Sequence, residues 1–408
     1  MTEQSASTRC TGLRAVLMVV VLGMAYFFSN FHRLSLSVIG DVIAVDYDLT
    51  SQQLATLGSA IFYSYALMQI PCGFIADRVP AKRLIAGSCV LAAGATLWFA
   101  YASGFTSLVL ARVLTGLATA LVYVPSLAVI RKQFGDRRYG TMTGIIVAMG
   151  QLGSVCASAP LKFLADQFSW RFAFLIIGAV SVALAVAAWF LVLDPEAHER
   201  GGIRKKSSWK AALSAGSLSI AVWFFITGGT RLSFQSLWGT RYFTQSLELD
   251  TSAASLYLML ISVGCIVGSV ILGRVADKIG NVRTVVFSTI AFAALWACFA
   301  LLRPAIPAPA LAVLCLLLGA MGAGGFTVGF SCIRLFAGKE STGIVTGVSN
   351  CCAFMGSAVF TQINGTIMGF APQSSSSGQF SFLLMLFFLL SLAGAVLVAL
   401  VNRKRFKQ

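Results

Sequence analysis

Long apolar segments alternate with short polar junctions along the whole chain. A helix needs about 20 apolar residues to cross roughly 30 Å of hydrocarbon. Stretches of this length begin near residues 13, 51, 84, 104, 139, 170, 213, 249, 281, 306, 341 and 376. Their length and continuity predict transmembrane helices. The pattern therefore predicts an all-α membrane protein with twelve spans.

The second half of the chain repeats features of the first half, and such self-similarity indicates a duplicated unit. At an offset of 200 residues, the motif Gly73, Asp77, Arg78 and Arg83 falls on Gly273, Asp277, Lys278 and Arg283. At an offset of 203, further residues coincide: Arg131, Gly135, Thr143, Gly144, Gly153 and Ser154 fall on Arg334, Gly338, Thr346, Gly347, Gly356 and Ser357.

The repeat divides the chain into two six-helix bundles. Six is an even number, so the two bundles share one orientation and are related by an axis along the membrane normal. We expect an N-terminal bundle at 1–194, a polar cytoplasmic linker at 195–210 and a C-terminal bundle at 211–408. The bundles are expected to be pseudo-symmetric around a central cavity.

Composition excludes several classes of protein. Of the 408 residues, 58% are hydrophobic and only 11% are charged, whereas soluble domains carry about a quarter charged residues. A soluble enzyme, a nucleic-acid-binding protein and a disordered chain are therefore excluded. The lipid bilayer is the expected surrounding, and we expect a monomer.

The net charge of +16 follows from membrane topology. Of the 30 Lys and Arg residues, 23 lie at the two termini and the even-numbered junctions, three at the opposite helix ends and four within spans. The positive-inside rule then places both termini in the cytoplasm. The basic tail at 403–407 is also compatible with contact to anionic lipid or nucleic acid, but topology already explains it, and no nucleic-acid partner is expected.

Neither a metal centre nor an enzyme active site can be assembled from the sequence. The ten cysteines are scattered through spans without ligand spacing, and only two histidines occur. No Ser/His/Asp set and no phosphate-binding glycine loop can be identified. We expect no cofactor and no enzymatic activity.

The duplicated loop motif resembles the signature that the major facilitator superfamily carries between helices 2 and 3, and again between helices 8 and 9. Arg112-Val-Leu-Thr-Gly116 is similar to the helix 4 signature of that family. The resemblance extends over essentially the whole chain and implies a secondary transporter that works by alternating access. It implies a structural role for Arg112, between helices 1 and 4.

The loop motif also has a physical interpretation of its own. Gly73 and Gly273 would let neighbouring helices approach closely. Asp77 and Asp277, with the basic residues that follow, predict charge clusters that break when the cytoplasmic side opens. The alternative is that these charges only set the topology.

Four basic residues are embedded in the predicted spans, where each charge costs roughly 2.5 to 3.5 kcal/mol on insertion scales: Arg33, Arg112, Lys162 and Arg231. All fourteen acidic residues lie at predicted helix ends or in loops. The interior is thus positive, with no acidic partner. Lys162 lies near the outer end of helix 5, where its ammonium group can reach the interface.

Arg33 in helix 1 and Arg231 in helix 7 are 198 positions apart, close to the repeat offset. This predicts pseudo-equivalent places that face each other across the central cavity. Guanidinium groups match carboxylate and phosphate oxygens, so we expect an anion clamp. The alternative is that each side chain extends to an interface.

Polar residues at helical spacing surround both arginines. Tyr26, Asn30 and Ser37 share the Arg33 face of helix 1, while Thr227, Gln235 and Trp238 share the Arg231 face of helix 7. Weaker substrate-binding candidates lie in helices 2, 4, 5 and 11: Tyr63, Tyr65, Gln69, Thr115, Thr119, Tyr123, Gln151 and Asn350.

The helix 1 arginine further resembles the organic-anion branches of the superfamily, the organophosphate antiporters and the anion:cation symporters. In the carboxylate symporters an acid commonly precedes this arginine and another lies in helix 4, whereas His32 and Thr119 stand at those places here. Two mechanisms remain open: anion exchange, and proton symport assisted by His32, which titrates near neutral pH.

Two other functions were weighed against organic-anion transport. A drug exporter of the same superfamily would carry a Gly-Pro pair in helix 5, whereas Pro160 is displaced from the glycines here, and cation efflux suits an acidic cavity. A transporter-like sensor would need a soluble output region, which is not evident. The compact loops and the lack of a transit peptide suggest a bacterial inner membrane.

Overall fold

The structure is a computed structural model that describes residues 12–192, 212–302, 304, 306–369 and 376–403. It describes the backbone but not the side chains of residues 73, 74, 77, 136, 137, 338–340 and 376. The predicted linker at 195–210 and most of the basic tail lie outside the described residues. Every regular element in the described part of the chain is helical.

Six helical units form the first half of the chain. Helix α1 comprises Leu13–Leu34 and, after a break at Ser35, Leu36–Asp46. The others are α2 (Ser51–Arg78), α3 (Ala81–Ala100), α4 (Phe105–Gly135), α5 (Arg138–Cys156 followed by Ala159–Gln167) and α6 (Trp170–Leu191).

Six more units form the second half. Helix α7 comprises Ala215–Ser233, a π-helical turn at Phe234–Trp238 and Gly239–Gln245. The others are α8 (Thr251–Ile279), α9 (Asn281–Leu301), α10 (Ala308–Ala337), α11 (Ser341–Gly369) and α12 (Ser377–Val401).

Within the described residues, nine of these helices are long and apolar enough to cross a membrane, and α5, bent by 44° between its two segments, makes a tenth. Helix α2, with 28 residues, and the three segments of α7 complete the twelve. The predicted all-α fold with twelve spans is confirmed, and large apolar side chains on the outside of the bundle fit a lipid environment.

Helix α1 defines the two ends of the molecule. At the proximal end, α1 and α7 begin and α6 and α12 end, close to the linker and the chain termini. The distal end is the one at which α1 gives way to α2, near residues 46–51. Odd-numbered helices therefore run from proximal to distal, and even-numbered helices run back.

Glycine contacts show the internal repeat in three dimensions. A Cβ at Gly116 of α4 would collide with the carbonyl of Ile61 in α2, and one at Gly319 of α10 would collide with the carbonyl of Ile261 in α8. The same holds for Gly153 against Phe27 and for Gly356 against Phe225. Small residues thus let helices approach closely at equivalent places in each half.

Both α1 and α7 depart from regular α-helix just beyond their arginines. In α1 the regular helix is interrupted at Ser35, two residues after Arg33, although the backbone of Ser35 itself keeps α-helical angles. In α7 the π-helical turn begins at Phe234, three residues after Arg231. Single π-helical turns within α-helices are frequent at functional sites.

The two halves are joined at the distal end. Gln362 of α11 donates to Thr56 of α2 at 3.1 Å, and Thr366 donates to Gln52 at 2.9 Å. Leu237 of α7 fills the space next to Gly40 and Gly58, so that a Cβ at either glycine would crowd it. Helices α1 and α2 therefore close against α7 and α11 at this end.

Three glycines in the proximal parts of α5, α8 and α11 have open space beside them. A Cβ added at Gly144 of α5, Gly273 of α8 or Gly347 of α11 would meet no atom within 4 Å. The close helix contact predicted for Gly273 is therefore wrong in this conformation, because no neighbouring helix approaches this glycine.

Candidate functional site

Arg33 lies buried in the middle of the bundle, and its side chain contacts both halves. Its Nη2 donates to Ser29 Oγ at 2.9 Å and its Nη1 donates to Asn30 Oδ1 at 3.2 Å, one turn back on α1. Its exposed fraction is 5%. The guanidinium therefore does not extend to a membrane interface.

Two aromatic rings bound the Arg33 guanidinium. Its Cζ lies 4.2 Å from the ring centroid of Tyr65 in α2 and 4.8 Å from that of Phe354 in α11. The two rings also contact each other, with centroids 4.3 Å apart. Cation–π attraction of this kind contributes about 2 kcal/mol when the groups are desolvated. Arg33 thus joins the two halves through Phe354.

Arg231 occupies the equivalent place on α7 and is half-buried. Its Nη1 donates to Gln235 Oε1 at 3.1 Å and lies 3.7 Å from the sulfur of Cys265 in α8. Gln235 in turn donates to Ser262 Oγ at 2.8 Å. The aliphatic stem of Arg231 covers Gly322 of α10. All these contacts lie within the second half.

The two sites are equivalent in position but not in detail. Tyr65 beside Arg33 and Cys265 beside Arg231 are 200 residues apart, as the repeat requires. Arg33, however, bonds to residues on its proximal side, whereas Arg231 bonds to Gln235 on its distal side. The two guanidinium groups therefore lean in opposite directions along the bundle axis.

Neither arginine has an acidic partner among the described residues. The Nε atoms of Arg33 and Arg231 are buried and lack any hydrogen-bond partner there. The described ion pairs lie toward the distal end: Asp41 with Arg241, Asp46 with Arg171 and Asp166 with Lys162. The mid-bundle positive charge is uncompensated by protein carboxylates in the described part of the chain.

Arg112 lies beside the break in α1. Its Nη1 donates to the backbone carbonyl of His32 at 2.8 Å and approaches Ser35 Oγ at 3.4 Å. The side chain is 2% exposed. These contacts tie α4 to the break in α1, which is the placement expected of a structural residue between helices 1 and 4.

His32 points away from Arg33. Its Nε2 lies 3.3 Å from Thr96 Oγ1 of α3, and its ring lies among Phe28, Phe31 and Phe174 of α6. The imidazole is 1% exposed. Its position between α1, α3 and α6 favours a packing role over the proposed proton-coupling role.

Three further candidates of the first half, Tyr26, Asn30 and Tyr123, lie on the proximal side of Arg33. Tyr26 stacks on Tyr123 of α4 with ring centroids 4.7 Å apart. Tyr26 and Asn30 also fill the space above Gly150 of α5, where a Cβ would collide with both. Tyr26, Asn30 and Tyr123 are half-buried, so part of each side chain remains accessible.

Trp238 is not a cavity residue in this conformation. It is fully buried, and its Nε1 donates to the carbonyl of Thr361 in α11 at 3.1 Å. The π-helical turn places it in the distal closure, so the expectation that it lines the cavity is wrong here. Asn350 is half-buried on α11, four residues on the proximal side of Phe354.

The loop motifs are described only in part. The side chains at 73 and 77 lie outside the described residues. Arg78 is the last residue of α2, and Asp277 lies two residues before the end of α8, so both are at the proximal end. Arg83, Lys278 and Arg283 lie at the same end. The charge clusters and their breaking on opening remain a prediction.

The sequence identified both arginines but not most of the side chains that contact them. Tyr65 was only a weaker candidate, and Phe354 carries no polar signal that would mark it. Cys265 could have been found, because it lies at the repeat offset from Tyr65. Within the described ranges, no three His, Cys, Asp or Glu side chains lie close enough together to hold a metal ion.

Residues 18–361 match the sequence model of the Major Facilitator Superfamily. The chain belongs to this superfamily. Several relatives of the chain are named as transporters. The expectation that the protein is not an enzyme is confirmed by this membership.

Relatives within the superfamily are distant. The probable sulfoacetate transporter of Cupriavidus necator is 25% identical over 64% of this chain and 66% of its own length. The gentisate transporter of Corynebacterium glutamicum is 25% identical over 66% of this chain and 63% of its own length. An uncharacterized transporter of Bacillus subtilis is 28% identical over 42% of this chain and 39% of its own length. The chain thus spans less than two thirds of each of these three relatives.

Solved superfamily structures show the same fold. A bacterial homolog of the human lysosomal transporter Spinster, in an inward-facing and occupied conformation, superposes with a TM-score of 0.76 and 16% identity. The inward-facing and unoccupied form of such a homolog gives a TM-score of 0.70. Each comparison covers 97% of this chain, so the likeness extends to the whole fold.

Proposed function

We propose that the chain is a secondary transporter of small organic anions, with the anion bound between Arg33 and Arg231. The observation that carries the proposal is the pair itself. Two guanidinium groups lie at repeat-equivalent positions in the bundle interior, and neither has an acidic partner among the described residues. A carboxylate or phosphate ester from the substrate would supply the missing charge.

Anion exchange is the mechanism that this electrostatic arrangement favours. An embedded charge costs roughly 2.5 to 3.5 kcal/mol on insertion scales, and the cost falls when a counter-ion binds. The empty carrier must occlude two unpaired cations as it changes state, whereas the loaded carrier is partly neutralised. The loaded form therefore crosses more readily, and transport in one direction depends on anion on the other side.

The position of His32 also supports exchange. Proton symport through His32 would require its imidazole to sense the bound anion or the cavity water. Its ring is instead held by Thr96 and packed among phenylalanine rings on the far side of α1. Exchange needs no titratable group near the anion.

Relatives support an organic acid as the substrate class. They include proteins named as a probable sulfoacetate transporter, a gentisate transporter and a D-galactonate transporter. Sulfonates and carboxylates share oxygen pairs that a guanidinium can bind. The three named acids share an anionic group but differ in the rest of the molecule. They therefore support an anionic substrate and do not indicate which acid is transported.

The charge distribution supports a plasma-membrane orientation with both termini in the cytoplasm. With this orientation the proximal end would face the cytoplasm. We propose the same domain organisation as the sequence predicts, namely bundles at 1–194 and 211–408 joined by a linker at 195–210. We also propose a monomer in a bacterial inner membrane, with only the small anion and lipid as partners.

Exchange in proteoliposomes tests the proposal. Vesicles holding the purified chain are loaded with a small-anion mixture, and uptake of labelled acids is measured without a pH gradient. We expect uptake only into loaded vesicles, and loss of uptake in Arg33→Gln and Arg231→Gln. Lys162→Gln is the matched control, since Lys162 pairs with Asp166 away from the arginines. Full uptake by both arginine variants would refute the site.

A further inference from the structure

Phe354 of the second half covers an arginine of the first half. The Cζ atom of Arg33 lies 4.2 Å from the ring centroid of Tyr65 and 4.8 Å from that of Phe354, and the two centroids are 4.3 Å apart. The three groups form a nearly equilateral triangle, so both rings meet on one side of the guanidinium. Phe354 is itself only 6% exposed. Arg33 is therefore held in a corner between two rings, one from each half.

A row of contacts between α2 and α11 holds Phe354 in this position. Ser59 of α2 donates to Gln362 of α11 at 3.1 Å, on the distal side of the ring. Nearer the middle of the bundle, Phe354 packs on Phe62 with nearly parallel rings and centroids 6.4 Å apart. The ring leaves Arg33 when α2 and α11 separate or when its own side chain rotates.

The hydrogen-bond donors of Arg33 are enclosed in this arrangement. Its Nη groups donate to Ser29 and Asn30 on its own helix, and its Nε is buried without a partner among the described residues. The residue is 5% exposed, whereas a carboxylate binds a guanidinium through two parallel hydrogen bonds. An incoming anion therefore has to displace a covering side chain. The other covering side chains belong to the same half as Arg33, so Phe354 is the one that withdraws when the halves move apart.

Arg231 is not covered in this way in the described part of the chain. It donates to Gln235, its Nη1 lies near the sulfur of Cys265, and its stem lies on Gly322, and all three residues belong to its own half. Arg231 is half-buried, so part of its side chain remains accessible. The two arginines are thus unequal in this conformation, although they occupy equivalent places in the repeat.

We propose that Phe354 is a positioning residue that competes with the transported anion for Arg33. The inference rests on the proposed function and gives the order of events at the same site. The anion binds Arg231 first, and the clamp is completed when the Phe354 ring withdraws and Arg33 turns its donors to the anion. Hydrogen bonds between a guanidinium and a carboxylate are stronger than the attraction of a guanidinium to a ring face, so the anion displaces the ring.

Chemical modification of the arginines tests this order without any substrate. Phenylglyoxal is a small neutral reagent that attaches to guanidinium groups it can reach, and mass spectrometry of peptides from the purified full-length chain measures the modification at each position. We expect Arg231 to react faster than Arg33, and Phe354→Leu to raise the rate at Arg33 alone. Phe360→Leu is the matched control, because Phe360 is buried on the same helix and packs within the second half.

Equal rates at the two arginines of the unaltered chain would overturn the proposal. An Arg33 rate that does not respond to Phe354→Leu, or that responds equally to Phe360→Leu, would also overturn it. If Phe354→Leu does not fold, the comparison of Arg33 with Arg231 in the unaltered chain decides.

The affinity for anions gives a second measurement, with sulfoacetate, gentisate and D-galactonate as probes. For an acid whose binding is lost in Arg33→Gln, Phe354→Leu should tighten binding about 3- to 30-fold, because the empty site no longer gives up a cation–π contact. Phe354→Tyr keeps the ring and should bind the acid as the unaltered chain does. A residue that served only in packing would weaken binding when replaced by Leu.

The outcomes separate this inference from the proposed function. Unchanged or weaker binding in Phe354→Leu, with binding still lost in Arg33→Gln, would overturn the competition and leave the anion site intact. Absence of arginine-dependent binding of all three acids would overturn both the competition and the proposed function.

Discussion

Arg241 at the end of α7 donates from Nε to the carboxylate of Asp41 at the end of α1, at 2.7 Å. The two residues are 200 positions apart, so each half contributes one charge from the same place in its fold. The pair lies across the distal closure, beside the hydrogen bond from Thr240 to Ser37. It must break when the distal end opens.

Loss of this ion pair is expected to favour the distal-open state. Asp41→Asn keeps the shape of the side chain but removes its charge, and the two side chains are 40% and 14% exposed, so water screens part of the interaction. Hydrogen exchange should rise in Leu36–Asp46 and Gly239–Gln245. Asp166→Asn, which removes a pair within α5, is the control.

Charge reversal provides the complementary test of the same pair. Combining Asp41→Arg with Arg241→Asp restores an ion pair with the charges exchanged, so exchange rates in both segments should return toward those of the unaltered chain. Independent, additive effects of the two substitutions would show that the residues are not coupled across the closure.

Arg112 is expected to stabilise the fold without binding the anion. Replacement with Leu leaves the carbonyl of His32 without its arginine donor, and an unsatisfied buried group of this kind costs about 1 to 3 kcal/mol. Arg112→Leu should therefore lower the melting temperature of the purified protein. The dissociation constant of the bound acid, measured below the melting temperature, should stay unchanged, and a large loss of affinity in a folded variant would assign Arg112 to the binding site.

His32 is expected to be dispensable for exchange. His32→Gln retains a group that can bond to Thr96 but cannot titrate near neutral pH. Exchange rates of this variant should match the unaltered chain at both pH 6 and pH 8, with no pH gradient applied. Loss of exchange with preserved acid binding would instead support proton coupling through His32.

Close helix contacts should make particular glycines irreplaceable. A Cβ at Gly356 would collide with the backbone carbonyl of Phe225, and overpacking of this kind costs about 1 to 3 kcal/mol. Gly356→Ala should therefore lower thermal stability, as should Gly153→Ala at the equivalent place. Gly87→Ala is the control, because a Cβ there meets no atom within 4 Å; equal melting temperatures for all three variants would contradict the packing.

Much of the fold could be predicted because transmembrane helices are encoded by long apolar runs, and the predicted starts at residues 51, 170, 281 and 341 coincide with those of α2, α6, α9 and α11. The repeat offset likewise places Arg33 and Arg231 at equivalent positions. The break at Ser35 and the π-helical turn at Phe234 leave no mark in hydropathy, because the chain remains apolar through both.

The details of the site depended on contacts that only the folded chain provides. Phe354 reaches Arg33 from the other half, so no pattern along α1 could reveal it. Trp238 shares a helical face with Arg231 in a regular helix, but the π-helical turn shifts it into the distal closure. Which end of the carrier is open depends on the balance of two packings, and the hydrophobic pattern is compatible with both.

A structure of the chain with a transported acid bound, determined by electron cryo-microscopy, tests the arginine site most directly. The acid that gives the largest thermal stabilisation would be used, since a ligand at 100 times its dissociation constant adds about 2.7 kcal/mol. We predict that its anionic oxygens lie about 2.7 to 2.9 Å from guanidinium nitrogens of both Arg33 and Arg231. An anion bound away from both guanidinium groups, with each arginine still in its present hydrogen bonds, would contradict the account.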